Sequence, residues 1–445
     1  MIEFRKKQQG SSSQMDTLQP LLKSLQGFFS RSEAKGGLLS KIILAMILPI
    51  GNAKGSSLYK KLLIVLGYSI TKTRFYRFLA CKCMRWDKLW QYVFKLIPNP
   101  LEKGRLILGL DDSINPKSGK KIFGCEKFFD HAAKHNQSRY PWAQNLIKIG
   151  LLKWVHSRWA LLPLLARFHH SSKAVESQAF KTKIEQAREM ILKIASWCKK
   201  APVLVVVDAW FGNGSLYLPL KEALGSRIQI LSMLKKNSNL FDLPKPEAIK
   251  RRGRPKKYGD KAGSVRALGK RYESRASVMR TFVYGKQRDI KVYTGIWMSR
   301  SLRCEIKVVF AYYRNSFVAL MSTDLNLSAE EIVEYYSARW KIESGFKELK
   351  HDIGSQACQA RTKTSVINHL NMCMLAITIV WIATLNLSEH DRHVLIQSEK
   401  QPYSFSKAQK LVIELMNKSR FCDSTGFQLK KCKNSLLDLI LKIAA

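Results

Sequence analysis

Acidic residues are scarce in this chain. Only 33 aspartates and glutamates stand against 76 lysines and arginines in 445 residues, a formal net charge of +43. That imbalance destabilises a compact fold by self-repulsion unless a polyanion neutralises the surface in use. Nucleic acid is the leading partner, because neutralising phosphates releases counterions and drives binding. An anionic membrane is the rival partner. A ribosomal protein is the plainest reading of the charge, although such proteins usually carry fewer than the 10 tryptophans found here. Cysteine pairs at zinc-finger spacing are also missing. The nine cysteines fall at 81, 83, 125, 198, 304, 358, 373, 422 and 432. Cys81-x-Cys83 alone makes no metal site. The odd count argues against a complete disulfide framework and points to a reducing cytoplasm, where a DNA-acting protein is nucleoid-associated. The start of the chain lacks a basic segment followed by a clean apolar run, so no signal peptide is expected. No apolar run reaches the ~20 residues of a bilayer span. The most apolar one, from Met372 to Leu387, reads as a buried helix.

What is present is organised. Residues 1–17 are polar and read as a flexible arm. From about 18 to 100 the pattern is helical. Thr71 is placed to cap a short helix carrying Arg74 and Arg77, so this region reads either as a DNA-binding helix-turn-helix or as an ordinary helical hairpin with a solvated basic face. Leu106–Leu110 is a short all-apolar run that reads as a strand buried on both faces, followed by Asp111-Asp112-Ser113. Strands near 146–155 and 160–168 and a helix from about 173 to 199 precede a second buried strand, Val203–Val207, which ends in Asp208. Strands, a helix and a further strand imply an α/β sheet. From about Gly212 to Asp324, basic loops separate short strand-like runs, and helical segments follow to the end.

The helix after Ser328 carries the most information. Ser328 and Glu331 form a capping box, and Gly354 is the expected stop. On a wheel of about 100° per residue with Tyr336 at 0°, Arg339 falls at about −60°, Glu343 at about −20° and Lys350 at about −40°. Tyr335, Ile342, Phe346, Leu349 and Ile353 form the core-facing stripe beside them. Glu343 is the only acid on the polar stripe. Asp111 and Asp208 share a placement at the carboxyl ends of buried strands, where α/β sheets bind ligands. Three carboxylates of this kind suit Mg²⁺, with Mn²⁺ as substitute, and paired divalent ions serve phosphodiester displacement. Arg339 and Lys350 are then candidates for backbone phosphates.

The spacing Tyr336-x2-Arg339-x3-Glu343-x6-Lys350, with Asp111 and Asp208 ahead of it, resembles the signature of a large group of bacterial insertion-sequence transposases with Asp-Asp-Glu (DDE) chemistry. The resemblance spans about 105 to 365. It implies a ribonuclease-H-like catalytic core interrupted by a β-rich insertion, flanked by helical N- and C-terminal regions. Boundaries follow: a helical DNA-binding region at 18–100, core parts at 101–211 and 326–365, an insertion at 212–325 and a helical end at 366–445. It further implies Mg²⁺-dependent cleavage of double-stranded DNA at terminal inverted repeats, attack of the freed 3′-hydroxyl on target DNA, and a homodimer in the synapse. The family's first motif usually reads Asp-x-Thr or Asp-x-Ser, which fits Asp111-Asp112-Ser113 with Asp111 as ligand and leaves Asp112 as the alternative. Tyr336, Arg339 and Lys350 are implied to contact phosphates near the cut, and Lys347 joins the candidate DNA contacts.

Three further motifs stand apart. Arg252-Gly253-Arg254-Pro255, followed by Lys256, is similar to a minor-groove hook or is a solvated basic loop. His131-x3-His135 has helical spacing but no third ligand, so loop or DNA-facing histidines are expected. Trp297 is a candidate for stacking on a flipped base, with a core position the expected one. The rival functions are a non-catalytic DNA-binding protein derived from a transposase and a metal-dependent nuclease.

Overall fold

In the computed structural model, residues 18–28, 33–131, 133, 135–172, 180–244, 256–314, 316–396 and 403–418 are described. The proposed arm at 1–17 and the hook arginines Arg252 and Arg254 lie outside them. The first helices are α1 (Leu18–Gly27), α2 (Glu33–Ile47), α3 (Gly55–Lys60), α4 (Lys72–Leu79) and α5 (Trp86–Lys95). Thr71 caps α4 as expected, accepting from the Arg74 amide at 3.3 Å. Cys81 and Cys83 are joined as a disulfide in the turn that follows, a pairing not anticipated from the cysteine count.

The centre is one 12-stranded sheet. Its strands are β1 (Leu106–Pro116), β2 (Cys125–Lys127), β3 (Trp142–Val155), β4 (Arg158–His169), β5 (Val203–Val206), β6 (Ile228–Met233), β7 (Asn239–Phe241), β8 (Lys261–Ser264), β9 (Ser277–Val283), β10 (Lys286–Ser299), β11 (Cys304–Tyr313) and β12 (Ser316–Ser322). The order is β2-β3-β1-β5-β6-β12-β11-β10-β7-β8, with β4 on β3 and β9 on β10. β1, β5 and β6 run parallel, and the other pairs are antiparallel. Parallel neighbours need crossovers. Here α6 (Lys183–Trp197) leads into β5, and α7 (Gly214–Leu224) joins β5 to β6. α7 and β6 therefore belong to the same parallel unit as β5, although the sequence pattern changes at Gly212. The later strands extend that sheet through the β6–β12 pair and do not form a separate body.

Two boundaries shift for physical reasons. β1 continues to Pro116 because β3 pairs with it as far as the Pro116–Ala143 pair, so Asp111 and Asp112 lie within the strand and not after it. α6 opens at Lys183, where Thr182 and Glu185 complete a capping box; the expected start near 173 lies outside the described residues.

After α8 (Val265–Arg271), the long helix expected beyond Ser328 is divided. α9 (Ala329–Ala338) and α10 (Trp340–Lys347) meet at Arg339, and a π-helical turn covers Glu348–Asp352. The Ser328–Glu331 capping box is present. Gly354 ends the run in the left-handed region at φ +80°, and a Cβ there would sit 2.6 Å from Asn52. α11 (Lys363–Leu385) is apolar on every side, which marks a core helix. It is long and apolar enough for a membrane span, yet 89% of its most apolar window is buried within the protein. α1, α2, α4 and α13 (Phe405–Lys418, after α12 at Glu389–Ile396) pack on it. Trp86 and Trp90 donate to Asn368 and Asn371 of α11, each at 2.7 Å, tying the two helical ends of the chain together.

Candidate active site

Alternation along β1 builds the first half of the site. At Gly109 a Cβ would lie 2.9 Å from Ile342, so this glycine lets α10 press directly on the strand. Two residues on, the same face carries Asp111, whose Oδ2 accepts from Arg339 Nη1 at 2.9 Å. Two further on is Ser113, which accepts from Lys350 Nζ at 2.8 Å. Asp112 points to the opposite face and pairs with Lys183 of α6 at 2.5 Å. The geometry thus separates the two aspartates: Asp111, not Asp112, faces the helix that bears Glu343.

The parallel register brings in Asp208. The last paired residues of β1 and β5 are Gly109 and Val206, and Asp111 and Asp208 each lie two positions beyond. Asp208 caps its own turn, accepting from the amides of Trp210 and Phe211 at 3.0 and 2.9 Å. Its charge reaches Asp111. Burial pushes the Asp111 carboxyl up, Arg339 opposes the shift, and Asp208 adds to it, leaving the pKa raised from 3.8 to about 7.

Arg339 sits among these acids. Besides Asp111 it holds Glu343, Nη2 to Oε1 at 3.2 Å, and its side chain is only 13% exposed while that of Glu343 is 42% exposed. Burial pulls the guanidinium pKa down, but Tyr336, Asp111, Glu343 and Asp208 outweigh burial and hold it up. Tyr336 lies beside it, with the guanidinium 5.6 Å from the ring centre. Among the described residues no three His, Cys, Asp or Glu side chains converge as a ready metal cage; the cation between Asp111 and Glu343 is Arg339. Asp111 and Glu343, held by one guanidinium, offer the oxygen donors that a hard divalent ion takes.

Residues 24–295 match the family model described as DDE superfamily endonuclease. The chain belongs to that family. Residues 292–389 match a second model, for archaeal ISC1217-type transposases. Asp111 and Asp208 fall in the first stretch and Glu343 in the second. No curated protein matches the chain. The mixed α/β architecture with its large mixed sheet fits a ribonuclease-H-like DDE fold.

The other residues singled out in this DDE chain divide by environment. Lys350 is tied to β1, donating to Ser113 and to the Ile114 carbonyl at 2.7 Å, and burial lowers its pKa. Lys347 is exposed on α10, Arg74 and Arg77 are exposed on α4, and Lys256 is exposed where the described residues resume. Trp297 is 4% exposed and packs edge-on against Phe310, a core residue. His131 and His135 lie in turns at the surface, outside any helix.

Sequence reasoning missed the layer beneath Glu343. Lys148 of β3 pairs in register with Asp111, is wholly buried, and has no hydrogen-bond partner for Nζ, which rests 3.9 Å from the centre of the Phe346 ring. Burial lowers its pKa to about 7. Glu348 faces it and also Arg158, at 3.8 Å, and burial raises its pKa to about 7. A lone lysine inside the apolar run Leu146–Leu152 was the available signal. Trp210 and Trp340, each beside a site residue, are exposed.

Proposed function

We propose that this chain is a transposase that cuts DNA at the terminal inverted repeats of its own element and joins the freed 3′-hydroxyl ends to target DNA. The observation that carries the reading is the convergence of Asp111 and Glu343 on one guanidinium, with Asp208 just past the end of the adjacent parallel strand and its charge reaching Asp111. In this reading Asp111, Asp208 and Glu343 hold Mg²⁺, and Mn²⁺ substitutes. Bound there, the ions would supply the charge that activates a water or a 3′-hydroxyl and offsets the leaving oxygen. The chain's own residues position the DNA. Lys347 and Arg339 hold phosphates near the cut with Tyr336, Lys350 steadies the strand that bears Asp111, and Arg74, Arg77 and Lys256 track the backbone further out. Arg252 and Arg254 would add further phosphate contacts. In cleavage a water oxygen bonds to phosphorus as the bond to O3′ breaks. In joining, that 3′ oxygen bonds to a target phosphorus and the target's own 3′ oxygen leaves. A homodimer would hold two ends at once.

The test uses purified protein, Mg²⁺ and DNA bearing the sequences that flank the reading frame. Wild type is expected to cut and join, and Glu343→Gln to do neither. Equal cutting by both proteins refutes the assignment. Cutting without joining favours a nuclease, and salt-sensitive binding without cutting favours a non-catalytic DNA-binding protein.

A further inference from the structure

Arg339 uses the oxygens that a divalent ion would need. Its Nη1 stands 2.9 Å from Asp111 Oδ2 and its Nη2 stands 3.2 Å from Glu343 Oε1. A Mg²⁺ ion binds carboxylate oxygen at about 2.0–2.1 Å, so ion and guanidinium cannot occupy the space between those two oxygens together. Arg339 Nε is buried with no hydrogen-bond partner, so the present pose leaves one of its five donors unused. The residue stands at the junction of α9 and α10, where its backbone stays helical while its amide donates to the Tyr336 carbonyl, three residues back. The half-exposed Glu343, the exposed Trp340 and the exposed Lys347 open that junction to solvent.

We propose that Arg339 gates the metal site: a divalent ion loads onto Asp111 and Glu343 only as the guanidinium leaves them, and a DNA backbone phosphate is the ligand that draws it away. The inference rests on the reading that these carboxylates hold the metal. It makes metal loading and DNA binding reciprocal, because whatever pulls Arg339 off the carboxylates raises their affinity for the ion by the same factor that the ion raises affinity for DNA. A planar guanidinium suits this exchange, since it pairs with carboxylate or phosphate through the same fork of donors. The free protein then keeps its nucleophile-generating centre closed, and the centre opens on DNA.

Mn²⁺ affinity, read by electron paramagnetic resonance on the full-length chain, tests this without any turnover. Arg339→Gln without DNA is expected to bind Mn²⁺ about tenfold or more tighter than wild type, within the usual span of such couplings. Arg339→Lys, which keeps the charge and protects folding, is expected to stay near wild type. Lys347→Gln removes a nearby exposed charge and is expected to change the affinity little, which separates gating from general repulsion. A mixed-sequence DNA duplex is expected to tighten wild type and leave Arg339→Gln unchanged. Equal Mn²⁺ affinity of wild type and Arg339→Gln overturns the gate, and a duplex that leaves wild type unchanged overturns phosphate as its trigger. If Asp111→Asn binds Mn²⁺ as well as wild type does, the metal reading itself fails, a result distinct from both.

Discussion

Replacing Asp111 by Asn should stabilise the protein above neutral pH. The carboxyl is buried beside Asp208, and its pKa stands at about 7 where an ordinary aspartate has 3.8. A raised folded pKa means that the native state holds the proton more tightly than the unfolded chain does. The contribution of Asp111 to stability is therefore intact below pH 3.8 and is lost progressively as pH climbs through 7. The span of 7 − 3.8 is about 3 units, and at 1.36 kcal/mol per unit the upper limit is about 4 kcal/mol. The Asp111 side chain is 15% exposed, and the variant also loses the ion pair with Arg339, so about 2 kcal/mol is the working figure. Urea denaturation at pH 4 and pH 8, with divalent ions chelated, reads the difference. The two proteins should coincide at pH 4, and Asp111→Asn should be the more stable at pH 8. A variant less stable than wild type at pH 8, or a gap that does not change with pH, refutes the idea that the site stores electrostatic strain.

Three other outcomes follow from the same geometry. Glu348→Ala leaves Arg158 and Lys148 buried without their carboxylate and should cost about 3 kcal/mol in urea denaturation, at the low end for a broken buried pair because the Arg158–Glu348 distance is long; Glu348→Gln should cost less. Gly109→Ala forces a methyl to within 2.9 Å of Ile342 and should cost about 1–3 kcal/mol while lowering cleavage at least tenfold, and Ile342→Val in the same chain should restore part of both. Arg74→Ala with Arg77→Ala should leave the melting temperature unchanged and reduce the slope of log affinity against log salt by about 2, one for each phosphate no longer neutralised.

The site could be read as far as it depends on periodicity. The stripe of Tyr336, Arg339, Glu343 and Lys350 follows from 3.6 residues per turn, and Arg339 and Lys350 both still meet β1, at Asp111 and Ser113, although Lys350 lies inside the π-helical turn. α11 was legible because an unbroken apolar surface leaves a helix nowhere but the core. The extent of β1 was not. Its polar half looks like a loop when read alone and is a strand only because β3 continues beside it, a partner the local pattern does not contain. Whether β6 belongs with β5 was hidden for the same reason, since it is decided by parallel pairing across α7. The Arg158–Glu348 pair joins strand β4 to the π-helical turn across a long stretch of sequence, and nothing in either neighbourhood announces the other.

The scarcity of acids sharpens the meaning of where they sit. The chain carries a net charge of +43, yet Asp111 and Glu343 share one guanidinium and the charge of Asp208 reaches Asp111; in the proposed reading a phosphate approaches here, and bare carboxylates would repel it. Something positive must stand between. In the structure Arg339 does so, while covering the oxygens that the proposed reading gives to the metal. A divalent ion would do so with twice the charge and leave the arginine for the phosphate. Folding and the proposed metal binding at this centre thus pose one electrostatic problem with two solutions, and the pKa of the Asp111 carboxyl stays raised because Arg339 only partly offsets its burial.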